Sequence, residues 1–139
     1  MSVGRICVRD VNLASPDETV QVAARRMAEQ RVGTLVVLDA AKQPVGLLTD
    51  RDLVVRVLAV GADPGAATVA DIMTREPKTI AEDSPIESAL ALMRAGAFRR
   101  LPVVDHDGRL VGILSLDDIL ALLAEEFAHI GGILNQQSR

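Results

Sequence analysis

Twice in this chain a hydroxyl residue is followed three positions later by an aspartate, each time behind a glycine and two aliphatics. The runs are Gly46-Leu47-Leu48-Thr49-Asp50-Arg51-Asp52 and Gly112-Ile113-Leu114-Ser115-Leu116-Asp117-Asp118. The glycine-aliphatic stretch reads as a strand and the residues after it as a helix. The strand therefore delivers the hydroxyl of Thr49 or Ser115 to a helix entrance, with Asp52 or Asp118 one turn on along the same side. Backbone N–H groups at a helix start attract anions. An ionised carboxylate only accepts hydrogen bonds, so its natural partner is a donor such as a sugar diol. Hydroxyl, open amides and acceptor together suit a ribose phosphate. The same spacing is also a variant of the capping box, which stabilises a helix and nothing more. Two copies at equivalent points favour a ligand role without removing the cap, since one hydroxyl serves both.

Two further cues flank the strands. Phe98-Arg99-Arg100 stands directly before Leu101-Pro102-Val103-Val104, placing two cations at a strand end. The bland alternative is a pair of solvated surface arginines. The matching stretch of the first half is Val32-Gly33-Thr34, which carries no cation, so the site nearer Arg99 and Arg100 is expected to hold the stronger charge. Arg51 is a partial substitute in the first half. Pro77-Lys78-Thr79-Ile80 and the weaker Val11-Asn12-Leu13-Ala14 read as short edge strands able to offer main-chain groups and an aliphatic wall to a flat base. His106, His129 and Cys7 are scattered without metal-ligand spacing. Asp50, Asp52, Asp117 and Asp118 have no histidine, cysteine or lysine base beside them, so catalysis is not expected.

The elements that position these residues are themselves repeated. Val3–Leu58 shifted by 66 positions lies without a gap on Val69–Ala124, with Ile6/Ile72, Met27/Met93, Leu35/Leu101, Asp39/Asp105, Gly46/Gly112 and Asp52/Asp118 among the identities. A repeat names the building unit and turns each motif into two sightings. In the first unit a helical stripe of Val20, Ala23, Ala24 and Met27 precedes the strand Leu35-Val36-Val37-Leu38. Asp17 or Thr19 is its expected cap. A turn and a return strand from Pro44 to Leu48 follow, then a helix with Leu53, Val54, Val57 and Leu58 facing inward. The second unit repeats this with Ile86, Ala89, Leu90 and Met93, then Leu101–Asp105, a His106-Asp107-Gly108 turn, Leu110–Leu114, and a helix through Ile119, Leu122 and Leu123. The order is short strand, helix, strand, strand, helix, twice: an α/β (α+β) chain. Residues 1–60 and 69–126 form the units, 61–68 the linker and 127–139 a tail, in which Gly131-Gly132 weakens a helix by about 1 kcal/mol per glycine.

Composition narrows the function. The chain is 139 residues long with 49% hydrophobic residues, yet it has two Phe and neither Trp nor Tyr. Its core is therefore aliphatic and shared by two halves too small to be stable alone. The lack of aromatics removes the usual stacking platform for single-stranded nucleic acid, and a net charge of −4 disfavours binding to a phosphate backbone. No run approaches the ~20 apolar residues of a membrane span. A single cysteine excludes an internal disulfide, which fits a cytoplasmic protein.

Taken together, both Gly-x-x-Thr/Ser-x-x-Asp segments, Asp71-Ile72-Met73-Thr74, Pro77-Lys78-Thr79 and Arg100-Leu101-Pro102-Val103-Val104-Asp105 resemble a tandem pair of cystathionine-β-synthase (CBS) domains. The resemblance covers nearly the whole chain. It implies two β-α-β-β-α units packed about a pseudo-twofold axis, with clefts between them for adenosine-containing ligands such as AMP, ADP, ATP, NAD or S-adenosylmethionine. By matching position it implies Asp52 and Asp118 on ribose hydroxyls, and Thr49 and Ser115 beside phosphate or sugar. It sets Thr79 and Leu13 by the base, and Arg99 and Arg100 toward phosphate. The first copy departs from the pattern in Cys7-Val8, and in Gly33-Thr34 where the second copy has its arginines. The resulting expectation is a stand-alone regulatory module, with an adenine nucleotide as regulatory ligand and not as catalytic cofactor. It is expected to form a homodimer through its helices and to signal to an effector protein. The alternative is a dimerisation scaffold with empty clefts.

Overall fold

The computed structural model describes residues 1–137. In chain order its elements are α1 (Val3–Ile6), β1 (Leu13–Ala14), α2 (Val20–Gln30), β2 (Thr34–Leu38), β3 (Pro44–Thr49) and α3 (Asp50–Leu53). A π-helical turn, Val54–Leu58, continues α3. The second half holds α4 (Val69–Ile72), β4 (Thr74–Arg75), β5 (Ile80–Ala81), α5 (Ile86–Gly96), β6 (Arg100–Val104), β7 (Leu110–Ser115) and α6 (Leu116–Gln137). The aliphatic runs are strands because they are covered on both faces. Leu35, Val36 and Val37 of β2 and Leu101 and Val103 of β6 have no exposed surface.

One sheet has the order β1-β2-β3-β4 and the other β5-β6-β7. The repeat appears in the register: Leu35 opposes Leu48 across β2 and β3, and Leu101 opposes Leu114 across β6 and β7. The acids at the starts of the two hairpin turns recur for a reason. Asp39 accepts from the Ala41 and Gln43 N–H groups, and Asp105 from those of Asp107 and Arg109. Of the two candidates for capping α2, Thr19 does so, accepting from the Val22 N–H at 3.3 Å.

The units exchange their leading segments. Val3 of α1 is buried in the second core with Ile80, Leu101 and Leu114, and Val8 pairs with Ile113 at the edge of β7. Reciprocally, Val69, Ile72 and Met73 are buried in the first core with Leu35 and Leu48, and β4 pairs with β3 at Gly46↔Arg75 and Leu47↔Thr74. The helix starts are cross-tied as well: Val20 N–H donates to the Ala67 carbonyl and Ile86 N–H to that of Met1. This reciprocity is what a pseudo-twofold pair of units requires. It also explains the glycine of each motif. A Cβ on Gly112 would lie 2.7 Å from Cys7 Sγ and 2.8 Å from the Val8 carbonyl oxygen, while one on Gly46 would collide with the Met73 thioether.

One expectation for the helices is corrected. Val54 and Leu58 face outward, as does about half of Leu123. The wider π turn rotates the first pair out of the core stripe, so Val57 alone of that turn is buried. Leu90 is likewise part-exposed, at 38%. Gly131-Gly132 does not end α6, which runs unbroken to Gln137. Phe127, Ile130, Ile133 and Leu134 stand exposed along it. No helix among the described residues is long and apolar enough to cross a membrane.

The glycine contacts yield a graded prediction. Gly112→Ala drives its methyl against backbone that is held by the Val8–Ile113 pair, with both N–H···O contacts at 2.9 Å. It should lower unfolding free energy by about 1–3 kcal/mol. Gly46→Ala meets a flexible methionine side chain and should cost less. Urea denaturation of both variants checks the order, and equal losses would contradict it.

Candidate functional site

Thr49 ends β3 and Asp52 lies in the first turn of α3; Ser115 ends β7 and Asp118 lies in the first turn of α6. In each pair the hydroxyl accepts from the aspartate N–H, at 3.2 Å for Thr49 and 3.1 Å for Ser115. Each carboxylate Oδ2 accepts in return from the hydroxyl residue's N–H, at 2.9 and 3.1 Å. Both are capping boxes. Adjacent amides are also engaged, since Asp50 N–H donates to the Gly33 carbonyl at 2.9 Å and Leu116 N–H to that of Arg99 at 2.8 Å. These amides are therefore not open to an anion.

What the caps leave over differs between the corners. Asp52 Oδ1 has Arg56 Nε at 3.9 Å. The position matching Arg56 is Leu122, so Asp118 Oδ1 keeps no hydrogen-bond or ion-pair partner among the described residues. Both hydroxyls, Thr49 and Ser115, accept in the cap and retain a proton to donate.

Asp118 and Ser115 line a cleft of about 330 Å³. Its opposite wall comes from the other unit: Val8, Val11 and Asn12 of the leading segment, then Gly33 and Thr34 at the start of β2. Arg31 and Arg100 add two cations and Asp10 a second acid. Thr34 Oγ1 is buried without a hydrogen-bond partner, the one side-chain atom so placed among the described residues. A buried hydroxyl left unpaired costs about 1–3 kcal/mol. The second cleft, about 230 Å³, joins Thr49 and Asp52 to Thr74, Pro77, Lys78, Phe98 and Arg100. Each cleft is thus composite, with the hydroxyl–acid pair of one unit facing the lead-in and strand start of the other.

The composite geometry redistributes the candidate residues. Ser115, Asp118, Thr34 and Arg100 come together in the first cleft, and Thr49, Asp52 and Arg100 in the second. Arg99 lines neither; it is exposed and pairs with Asp117 at 3.6 Å. Thr79 precedes β5 and also lines neither. Leu13 borders two adjoining depressions beside Leu38. Asn12, Arg31, Lys78 and Phe98 join the clefts without having been singled out as ligand residues from sequence. Burial raises the Cys7 thiol above its ordinary value, with Arg9 opposing, so Cys7 stays a protonated packing group against Gly112. No group of three or more His, Cys, Asp or Glu residues able to hold a metal occurs among the described residues.

Comparison with known proteins decides the family, because the CBS domain matches twice, at residues 3–59 and 69–125. The chain belongs to the CBS-domain family. Among relatives of this CBS pair, the Methanopyrus kandleri protein MK0525 is 39% identical over 86% of the chain, which spans 61% of that protein. Hypoxic Response Protein I, solved with two coordinated zinc ions, is 31% identical with a TM-score of 0.79, covering 87% of this chain and 98% of its own. CBSX2 of Arabidopsis thaliana is 27% identical with a TM-score of 0.81 over 91% of this chain and 96% of its own. CBSX2 has also been solved in complex with AMP.

The caps have a measurable value in this CBS pair. Thr49→Ala and Ser115→Ala should each lower unfolding free energy by about 1 kcal/mol. Thermal or urea unfolding without ligand checks this, and an unchanged midpoint would mean that the hydroxyls do not hold the helix starts.

Proposed function

We propose that this CBS pair is a regulatory module that binds an adenosine-containing ligand in the cleft closed by Asp118, with AMP, ADP or ATP preferred to NAD or S-adenosylmethionine. The observation that carries the reading is the unpartnered acceptor Asp118 Oδ1 in the same cleft as the unpartnered hydroxyl of Thr34. A ribose diol donates to Asp118 Oδ1. The Ser115 hydroxyl, Arg31 and Arg100 supply donor and charge for a phosphate. Val8, Val11 and Ile113 supply an apolar wall for a base. A volume of about 330 Å³ falls at the lower end of the range for small-molecule sites, roughly 300–1,000 Å³. The AMP complex of CBSX2 supports the ligand class.

The use of one oxygen each of Asp52 and Asp118 in a helix cap supports a binding and regulatory role for these acids. The exposed apolar row of α6, including Phe127 and Ile130, supports association with a second copy and with an effector in the cytoplasm. That row alone also fits the reading as a scaffold with empty clefts, and ligand binding separates the two.

Titration calorimetry with AMP, ADP and ATP tests the proposal. Binding should be detected, and Asp118→Ala should weaken it by about 10- to 100-fold, the value of a charge-assisted hydrogen bond. Asp118→Asn keeps an acceptor for the Ser115 N–H, so it separates loss of the cap from loss of the ligand contact. Arg99→Ala should leave affinity unchanged. No heat with any nucleotide, or full affinity in both Asp118 variants, would overturn the assignment.

A further inference from the structure

Arg100 is the one residue that lines both clefts. It opens β6, opposite Ser115 in the register with β7. Its side chain is exposed and makes no hydrogen bond or ion pair among the described residues. The neighbouring Arg99 is tied to Asp117 and Arg56 to Asp52, so neither offers a second unengaged guanidinium between the clefts. Beyond Arg100 each cleft has one cation of its own, Arg31 beside Asp118 and Lys78 beside Asp52.

We propose that the two clefts are coupled negatively through Arg100, one guanidinium serving two phosphate sites. This rests on the reading of the Asp118 cleft as a nucleotide site and extends it to the Asp52 cleft. A planar guanidinium grips a phosphate by directing its fork of donors at it. Turned to one cleft, it withdraws that fork from the other. The second phosphate then binds with Lys78 or Arg31 alone, and a charge-assisted hydrogen bond is missing. Two anionic groups near one cation also repel each other, which acts in the same direction. By linkage, each ligand weakens the other by the same factor. The coupling belongs to the phosphate, so adenosine, which has none, should fill the clefts independently. The module thereby responds over a wider span of nucleotide concentration than two independent sites would.

Titration calorimetry on the full chain separates coupling from a plain difference between the clefts. The Asp118 cleft is larger and its acceptor is unpartnered, so AMP fills it first and the Asp52 cleft second. In Asp118→Asn, where binding in the first cleft is weakened, AMP should bind the Asp52 cleft about 10- to 100-fold more tightly than in the second step of the unaltered chain. Adenosine should show no such gain, and Arg100→Gln should erase the gain for AMP. A second-cleft affinity for AMP that is unchanged by weakening the first would overturn the coupling and leave nucleotide binding standing. A gain that persists undiminished in Arg100→Gln would overturn the role of Arg100. No binding of AMP or adenosine to the unaltered chain would overturn the coupling together with the function it rests on.

Discussion

The contact on which the rest depends is the crossing of each unit's leading segment over the other unit's motif glycine. Cys7 and Val8 pass Gly112, and Met73 passes Gly46, at distances that leave no room for a Cβ. The crossing carries Val3 into the second core and Val69, Ile72 and Met73 into the first. Neither half can bury its aliphatic strands without the other, consistent with the size of each unit. The same crossing brings each lead-in against the opposite hydroxyl–acid corner. Fold stability and cleft construction are therefore one event. A change that frees a lead-in opens a core and dismantles a cleft together.

Within this symmetric frame the chemistry is unequal. Both corners spend one carboxylate oxygen and one hydroxyl lone pair on a helix cap. At Asp52 the second oxygen faces Arg56, whereas at Asp118 the matching side chain is Leu122 and the oxygen has no partner. Thr34, which replaces an arginine of the other copy, lines the Asp118 cleft, and its hydroxyl is buried without a partner. The departure from the repeat in the first unit thus alters the cleft of the second. Arg100 sits between the two and belongs to both.

Much of this was legible in the residues. The repeat, the paired aliphatic strands, the Asp39 and Asp105 turns and the two corners follow from spacing and from period-two or period-3.6 patterns. The exchange was not, because a leading segment carries the same apolar pattern whichever core it enters. The spacing alone therefore does not say which lead-in and strand start face Ser115 and Asp118; the structure sets Gly33 and Thr34 against them. Arg99 and Arg100 read alike in sequence, but Arg99 lies in the bend before β6 and pairs with Asp117, whereas Arg100 opens the strand and lines the clefts. The π turn at Val54–Leu58 and the persistence of α6 through Gly131-Gly132 likewise reflect tertiary context that overrides local preference.

A crystal structure of the protein grown with AMP is the most direct measurement of the central claim, that ligand is held between the Asp118 corner of one unit and the Thr34 strand start of the other. The account predicts nucleotide density in that cleft, with ribose hydroxyls on Asp118 Oδ1 and the phosphate toward Arg31 and Arg100. Nucleotide density against Thr79 and Arg99, with the Asp118 cleft closed by protein side chains, would contradict it.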